Sequence, residues 1–142
     1  MARKGEDILN ALVTLLQTGE PTIGRNTPLP DLTASGKAVR LLDGDIEQTE
    51  AFLNPPTYEF TMRPVAQLVI SGGTDAERDA AIDTSLGNLL TALAGANDLG
   101  GLSTDIRPQP PTGTPKEFFG APNMKAAELV IEIDYWSDTT AG

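Results

Sequence analysis

The chain has 142 residues, which suffices for one domain with a hydrophobic core but not comfortably for two. Hydrophobic residues make up 39% of it, which predicts a folded protein, while a net charge of -10 opposes binding to nucleic-acid backbones and anionic membranes. Cysteine and histidine are both absent, which excludes disulfides, thiolate metal ligands and the commonest general base.

The first predicted element is an amphipathic helix over residues 5–18. Its apolar residues recur at helical spacing: Ile8, Leu9, Leu12, Leu15 and Leu16. Glu6 and Asp7 favour the helix N-terminus through the dipole, and Gly19 is a natural stop. These acids and the lack of a cleavage site distinguish the segment from a signal peptide, so we expect a protein that is made inside the cell and not exported. We also expect no contact with a membrane, because no apolar run is long enough to span one.

The middle of the chain predicts a loop and two strands. Residues 20–36 are rich in Pro, Thr and Gly and predict a loop, which leaves open a short extended piece around Ile23. Residues 37–42 predict a short strand that ends in a turn at 43–45. Apolar and polar residues then alternate in a strand over 58–70, in which Pro64 indicates a bulge or a sheet edge.

The second helix is the clearest element of the sequence. Thr74 or Asp75 can cap its start and Gly95 its end. Its apolar stripe consists of Ile82, Leu86, Leu89, Leu90 and Leu93. A short strand over 103–107 and a proline-rich loop over 108–124 follow.

The last predicted strand has one apolar face and one largely acidic face. Its apolar face consists of Ala127, Leu129, Ile131, Ile133 and Tyr135. Such a strand meets a core on one side and water or a partner on the other. Together, the elements predict an α+β fold with a mostly antiparallel four-stranded sheet and two main helices packed on one face, in a single domain over 1–142.

The glycine pair in GANDLGGLSTDI is better explained as a turn than as a phosphate-binding loop. Such a loop leads from a strand into a helix, whereas here the helix comes first. Asp43, Asp45 and Glu47 are spaced like oxygen ligands of a hard cation, but the further ligands of a calcium loop are absent and Asp-Gly is a common turn dipeptide. We therefore predict a turn there, and we expect no metal, no cofactor and no catalytic residue.

The acidic row on the last strand consists of Glu128, Glu132 and Asp134. Paired carboxylates can carry out acid–base catalysis, but a row of this kind is far more commonly a solvated or interface face.

Large aromatic residues outside the predicted core are the best candidates for contact with a partner. Phe118 and Phe119 lie in the proline-rich loop, and Trp136 lies on the polar side of the last strand. Such residues either fill a small core or anchor a partner. Basic residues spread among the acids can pair across a subunit boundary or remain surface charges, and Arg63 is the one that we select for an interface. The others are Arg3, Lys4, Arg25, Lys37 and Arg40.

The order of these features resembles the tail terminator, or tail completion, proteins of long-tailed bacteriophages and gene transfer agents. The resemblance covers most of the chain: an N-terminal helix, a strand ending in LLDGD, the strand over 58–70, a long helix leading into NDLGGLSTDI, and the terminal strand ELVIEIDYW. It implies a six-membered ring that caps the tail tube, stops its polymerisation and presents a surface for joining the DNA-filled head. It implies no catalytic residues, and it makes the loops over 20–36 and 108–124 candidates for contacts with other subunits or the tube.

The partners implied by the resemblance are copies of the chain, the tail tube protein and a head-side connector or stopper protein. The implied location is the head-proximal end of the virion tail, after assembly in the host cytoplasm. DNA would pass through the ring without specific binding, and we expect Glu128, Glu132 and Asp134 to line the channel and repel phosphates. Three alternatives stay open: another head–tail connector or a tail tube subunit, an enzyme that uses the carboxylates over 43–47 with a divalent metal, and a monomeric adaptor that binds a peptide at a sheet edge.

Overall fold

Two helices and six strands make up the described part of the chain. The computed structural model describes residues 4–21, 23–26, 36–53, 56–72, 74–95, 99, 101–110, 112–114 and 124–138. The elements in chain order are α1 (Lys4–Leu16), β1 (Gly24–Arg25), β2 (Gly36–Leu53), β3 (Pro56–Ser71), α2 (Asp75–Ala94), β4 (Asp105–Pro108), β5 (Thr112–Thr114) and β6 (Met124–Ser137). The predicted α+β class is confirmed.

The helix α1 buries the face that its periodicity predicts. Its fully buried apolar side chains are Ile8, Leu9, Leu12 and Leu16. The chain leaves α1 through a turn that ends near Gly19, where an added Cβ would collide with the backbone carbonyl of Asn88 in α2. The glycine therefore allows the end of α1 to approach the backbone of α2 closely.

The helix α2 begins at the N-cap residue Thr74, which confirms one of the two predicted caps. The hydroxyl oxygen of Thr74 accepts a hydrogen bond from the backbone N–H of Glu77 at 3.2 Å, which is half of a capping box. The helix ends at Gly95, as predicted, and the backbone N–H of Gly95 donates to the carbonyls of Ala92 and Leu93. Both ends of α2 are thus fixed by residues that the sequence identifies.

The sheet has the strand order β1-β2-β3-β6-β4, and β5 pairs with β6 beside this path. Every described pairing is antiparallel except that of β1 with β2, so the sheet is mixed and mostly antiparallel. The prediction of four strands is wrong, because β1 and β5 lie within the segments predicted as loops. Strands of two and three residues are too short to produce a periodic pattern of their own.

The strand β2 does not end in a turn at 43–45, which corrects the sequence-based prediction. It continues to Leu53, and its pairing with β3 shifts register between Leu42 and Asp45. Gly44 has φ +67°, and an added Cβ there would collide with the backbone carbonyl of Arg63. Both a tight turn and a β-bulge can require a residue with positive φ, and the glycine of an Asp-Gly dipeptide suits either. Here it forms a bulge, and β2 continues beyond Gly44.

The strand β3 runs through Pro64 without a break. Its pairing with β6 keeps one register from Tyr58 to Ser71, and Pro64 lies opposite the bulge of β2. The bulge that we predicted is therefore on the neighbouring strand. The alternative of a sheet edge is wrong, because β3 lies between β2 and β6.

The two faces of the sheet differ in chemistry. The inner face carries the core, in which Phe60 of β3 and Tyr135 of β6 stack at a ring-centroid distance of 5.4 Å. The predicted apolar stripes of both helices join the inner-face residues in one cluster, so the helices pack on one side as predicted. Leu90 is the exception: it was predicted to belong to the stripe of α2, but it is exposed and lies outside the cluster. The outer face carries the odd-numbered residues of β3 and the even-numbered residues of β6, where the polar side chains lie.

Candidate functional site

The most exposed part of the sheet is an arm formed by the β2–β3 hairpin. We define the arm as residues 45–53 of β2 and 56–59 of β3. Every residue over 45–53 is exposed. Since successive side chains of a strand point to opposite faces, this part of β2 is uncovered on both sides. This part of β2 is therefore an exposed sheet edge that contributes little to the core, and the hairpin projects past β6 only beyond the pairing of Tyr58 with Ser137.

The arm ends in an apolar tip, which we define as Phe52, Leu53 and Trp136. Leu53 is 79% exposed and Phe52 46% exposed. Trp136 lies on the outer face, as predicted, and its ring is 5.4 Å from that of Phe52 at an interplanar angle of 36°. An exposed apolar group of this size at the end of a projection is typical of an interaction surface. The other aromatic candidates, Phe118 and Phe119, lie outside the described residues.

The outer face carries a cluster of ionic side chains, the outer-face charge cluster. It consists of Glu47, Arg63, Asp105, Arg107, Glu132 and Asp134. At its centre, the guanidinium of Arg107 donates to both carboxylate oxygens of Asp134, at 2.7 and 3.2 Å. Thr61 donates to the same carboxylate at 2.7 Å. The Arg107 hydrogen bonds hold the pKa of Asp134 below its ordinary value, against the opposing effect of burial and with help from Thr61.

Arg63 is engaged within the chain. Its Nη1 donates to Glu47 Oε2 at 3.1 Å, and its Nε lies 3.8 Å from Glu132 Oε2. Arg107 also contacts Asp105 at 2.7 Å and Glu132 at 3.5 Å. Two arginines thus face four carboxylates in the outer-face charge cluster, which leaves it negative.

The predicted acidic row is on the outer face, but it is paired with cations and amides. Glu132 and Asp134 contact arginines, and Glu128 accepts a hydrogen bond from Gln67 Nε2 at 3.4 Å. Gln67 in turn accepts from Arg40 Nε at 2.7 Å. The alternation of the last strand located the row correctly. The alternation could not identify the side chains that pair with these acids, because those side chains lie on β3 and β4, which are far from β6 in sequence.

The three carboxylates considered for a metal do not converge. Both oxygens of Asp43 accept hydrogen bonds from Arg25, at 2.8 and 2.9 Å, whereas Glu47 bonds Arg63 on the outer face. In the described ranges, no group of three or more Asp or Glu side chains is placed to hold a metal ion. The hypothesis of a cation site over 43–47 therefore has no geometric support.

Arg25 forms a bridge between the first helix and the sheet edge. Its guanidinium also donates to both oxygens of Glu6 in α1, each at 2.8 Å. These hydrogen bonds to Glu6 and Asp43 raise the pKa of Arg25, so the cation is permanent. The sequence left open whether Arg25 pairs within the chain or across a subunit boundary, and the structure places its partners within the chain.

A buried carboxylate, Glu20, was not identified from the sequence. It accepts hydrogen bonds from Lys37 Nζ at 2.9 Å and Asn88 Nδ2 at 3.4 Å. Burial raises the pKa of Glu20, but its bonds to Lys37, Ser85 and Asn88 outweigh this effect and lower the pKa overall. A single glutamate before a proline in a predicted loop resembles any surface acid, so no sequence signal distinguishes it.

A shallow groove lies where the C-terminal ends of α1 and α2 meet. Its volume is about 470 Å³, and it is lined by Leu15, Thr18, Gly19, Asn88, Thr91, Ala92 and Gly95. None of these side chains is charged. The glycines and alanine give it a floor of small residues.

The glycine-rich segment after α2 is a turn in its described residues, as predicted. Leu99 has φ 52° and Gly101 φ 94°, both in the left-handed region. Leu99 is nevertheless buried, so this turn closes one end of the core.

The described helices include none that is both long and apolar enough to cross a membrane. No known protein family matches the sequence, and a search of curated proteins finds no significantly similar chain.

Proposed function

We propose that this chain is a virion structural protein that caps the tail tube of a long-tailed phage or gene transfer agent as a ring, ends tail polymerisation and forms the head–tail joining surface. The observation that carries the proposal is the arm with its exposed apolar tip. Leu53 contributes little to the stability of the isolated domain because it is 79% exposed, and nearly half of the Phe52 side chain is exposed as well. Such a projection is useful to a protein that assembles with other chains. The order of sequence features that resembles tail terminators supplies the identity of the assembly.

The outer-face charge cluster is compatible with a wall past which DNA moves. Asp134 and Glu132 form ion pairs with Arg107, and the cluster still carries more carboxylates than guanidinium groups. A negative wall repels phosphates and prevents them from adhering. If the assembled ring places these carboxylates at subunit contacts, away from the channel, this part of the proposal is wrong.

The same cluster argues against an enzyme that depends on carboxylates. A general acid at neutral pH needs a raised pKa, whereas the pKa of Asp134 is lowered by its bond to Arg107. Asp43 and Glu47 form ion pairs with different arginines, Arg25 and Arg63.

A second candidate function is an adaptor that adds a peptide strand to the edge of β2. On the side away from β3, β2 pairs with β1 only at Arg40 and Leu41, so in the described residues the rest of this edge has no strand beside it. Two register shifts and the exposed acids Asp45, Glu47 and Glu50 make it a poor template, because bulges and charges are devices that block strand addition. We therefore rank the adaptor below the ring subunit.

The experiment is electron microscopy of particles made by the parent phage or prophage after deletion of this gene. We expect overlong tails that are not joined to heads, and restoration of normal particles by a plasmid copy of the gene. Complete loss of tubes would instead indicate a tube subunit, and unattached tails of normal length would indicate another connector. Normal infectious particles would refute the virion role altogether.

A further inference from the structure

The outer face of the arm brings two carboxylates and two aromatic rings together. Glu50 of β2 and Glu59 of β3 are cross-strand partners, and Glu59 is in turn the partner of Trp136 in β6. Directly paired residues of this kind have Cβ atoms about 4.5–5.5 Å apart. Phe52 lies two positions beyond Glu50 on the same face, and its ring centroid is 5.4 Å from that of Trp136. We call Glu50, Phe52, Glu59 and Trp136 the arm-face site.

The two carboxylates of the arm-face site are not neutralised by their own chain. Residues 45–59 contain four acids and no lysine or arginine. Glu59 accepts a hydrogen bond from the hydroxyl of Thr49 at 2.9 Å, but neither Glu50 nor Glu59 forms an ion pair within the described ranges. Like charges directly opposite one another in a sheet are destabilising. The site therefore holds an uncompensated pair of negative charges beside exposed apolar surface.

A second copy of the chain is poorly suited to supply the missing positive charge. The net charge of -10 makes copies repel one another. Among the side chains that the structure describes, Lys4 is the only cation without a hydrogen bond or ion pair in its own chain. The others are engaged: Arg25 by Glu6 and Asp43, Lys37 by Glu20, Arg40 by Gln67, Arg63 by Glu47, Arg78 by the carbonyl of Gly72, and Arg107 by Asp134. We therefore expect the complementary cation on a different protein.

We propose that the arm-face site binds an arginine or lysine side chain in a basic segment of a partner protein that is not a copy of this chain. The cation lies against the rings of Phe52 and Trp136 and forms ion pairs with the two carboxylates. Leu53, which is 79% exposed at the end of the hairpin, contacts apolar residues of the same segment. The proposal rests on the proposed function, which makes the arm a surface for assembly, and it adds the chemistry of the partner.

Trp136 is the only tryptophan of the chain, so its fluorescence reports on the site. The probe is a short capped peptide in which arginine and leucine alternate, and its affinity is measured from the anisotropy of a fluorescein-labelled form. We expect saturable binding with a Kd below about 1 mM and a shift of Trp136 emission to shorter wavelength. A peptide with glutamate in place of each arginine should not bind. Absence of saturable binding of the arginine peptide, or equal binding of both peptides, would overturn the proposal.

A double variant, Glu50→Gln with Glu59→Gln, distinguishes the site from general attraction between an acidic protein and a cationic peptide. It should weaken binding about tenfold, because two surface ion pairs are lost. The matched control, Asp7→Asn with Asp83→Asn, removes two charges from exposed positions on the helices. At about 0.15 M salt, distant charges are screened, so the control should change the Kd by less than about twofold. Equal weakening by both double variants would show that net charge alone attracts the peptide, which would overturn the proposal.

A variant of Phe52 tests the contact of the cation with the rings. Phe52→Leu keeps an apolar side chain but removes the ring, so it should weaken binding of the arginine peptide by about two- to fivefold. Unchanged affinity would contradict the proposed position of the cation.

The single variant Glu50→Gln gives a readout that a purely structural residue would not give. It removes half of the uncompensated pair, so it should raise the Tm of the free protein by about 1 to 3 °C while it weakens peptide binding. A lower Tm would show that the Glu50 carboxylate stabilises the fold and would contradict the proposal.

The competing occupant of the site is a second copy of the chain. It predicts that Trp136 emission moves to longer wavelength when the purified protein is diluted, and that result would overturn the proposal. Failure of the site and failure of the role in the particle are distinguishable, because peptide binding uses the purified chain and gene deletion uses the phage. Overlong tails without peptide binding would leave the ring function and remove this site, and peptide binding with normal particles would do the reverse.

Discussion

Replacement of Arg25 tests whether the bridge between α1 and the sheet edge stabilises the fold. Arg25 forms bidentate hydrogen bonds with the carboxylates of Glu6 and Asp43, at 2.8–2.9 Å. The guanidinium side chain is 20% exposed, and the two acids are 34% and 40% exposed. Each pair therefore lies between a surface ion pair, worth 0.2–1 kcal/mol, and a buried charged hydrogen bond, worth 1.5–3 kcal/mol.

We take about 1 kcal/mol for each carboxylate and expect Arg25→Gln to lower the free energy of unfolding by about 2 kcal/mol. Arg25→Lys keeps the charge but loses the fork geometry, so it should lose about half as much. Urea titration of the variants gives these values directly. A double-mutant cycle with Asp43→Asn should return a coupling energy of about 1 kcal/mol.

The reasoning would be refuted by a loss below about 0.5 kcal/mol for Arg25→Gln, because that is the value of an ordinary exposed ion pair. Equal stability of Arg25→Lys and the wild-type chain would show that the positive charge alone, without the bidentate hydrogen bonds, accounts for the stabilisation by residue 25.

Two further predictions concern the β2 bulge and the carboxylates with lowered pKa. Gly44→Ala places a Cβ against the carbonyl of Arg63 at a positive φ and should lower the free energy of unfolding by about 2 kcal/mol or more. Gly87→Ala, which has open space around its Cβ, should stabilise α2 by about 0.5 to 1 kcal/mol. Thermal melts of the two variants compare backbone strain with helix propensity, and equal effects would contradict the assignment of Gly44 to a strained bulge position. The pKa values of Glu20 and Asp134 are lowered from their ordinary values, so their stabilisation is present above the ordinary pKa and is lost as the pH falls through the lowered one. In urea titrations from about pH 7 to about pH 3, the stability difference between wild type and Glu20→Gln should shrink on acidification, and a difference independent of pH would refute this linkage.

Elements with a strong local signal were predictable from the sequence. The apolar spacing in α1, the capping residue Thr74 of α2 and the alternation in β6 each require a particular local structure, and all three are observed. These signals depend only on residues within a few positions of one another.

The errors arose where one local sequence serves two structures. Asp43-Gly44 supplies a positive φ to a bulge as readily as to a turn, and only the pairing of β2 with β3 decides between them. The strands β1 and β5 exist because longer strands provide an edge for them, so their own residues carry no pattern.

The candidate sites were predictable by face but not by partner. Alternation placed the acids and Trp136 of β6 on one side of the sheet, which the structure confirms. The arginine partners of Asp134 and Glu132 lie on β3 and β4, and the ring partner of Trp136 lies on β2. Such long-range neighbours depend on strand order, which a single sequence leaves open.

The position of β6 makes the interior of the sheet depend on a strand that is synthesised late. β6 is the last described strand in the chain, yet it lies in the interior of the sheet, between β3 and β4. During translation β2, β3 and α2 are made first, so the backbone N–H and C=O groups on one edge of β3 have no partner strand until β6 is made. Tyr135 completes the core and the adjacent Trp136 completes the tip. We therefore expect a chain that lacks β6 to lack both a stable interior and the complete apolar tip.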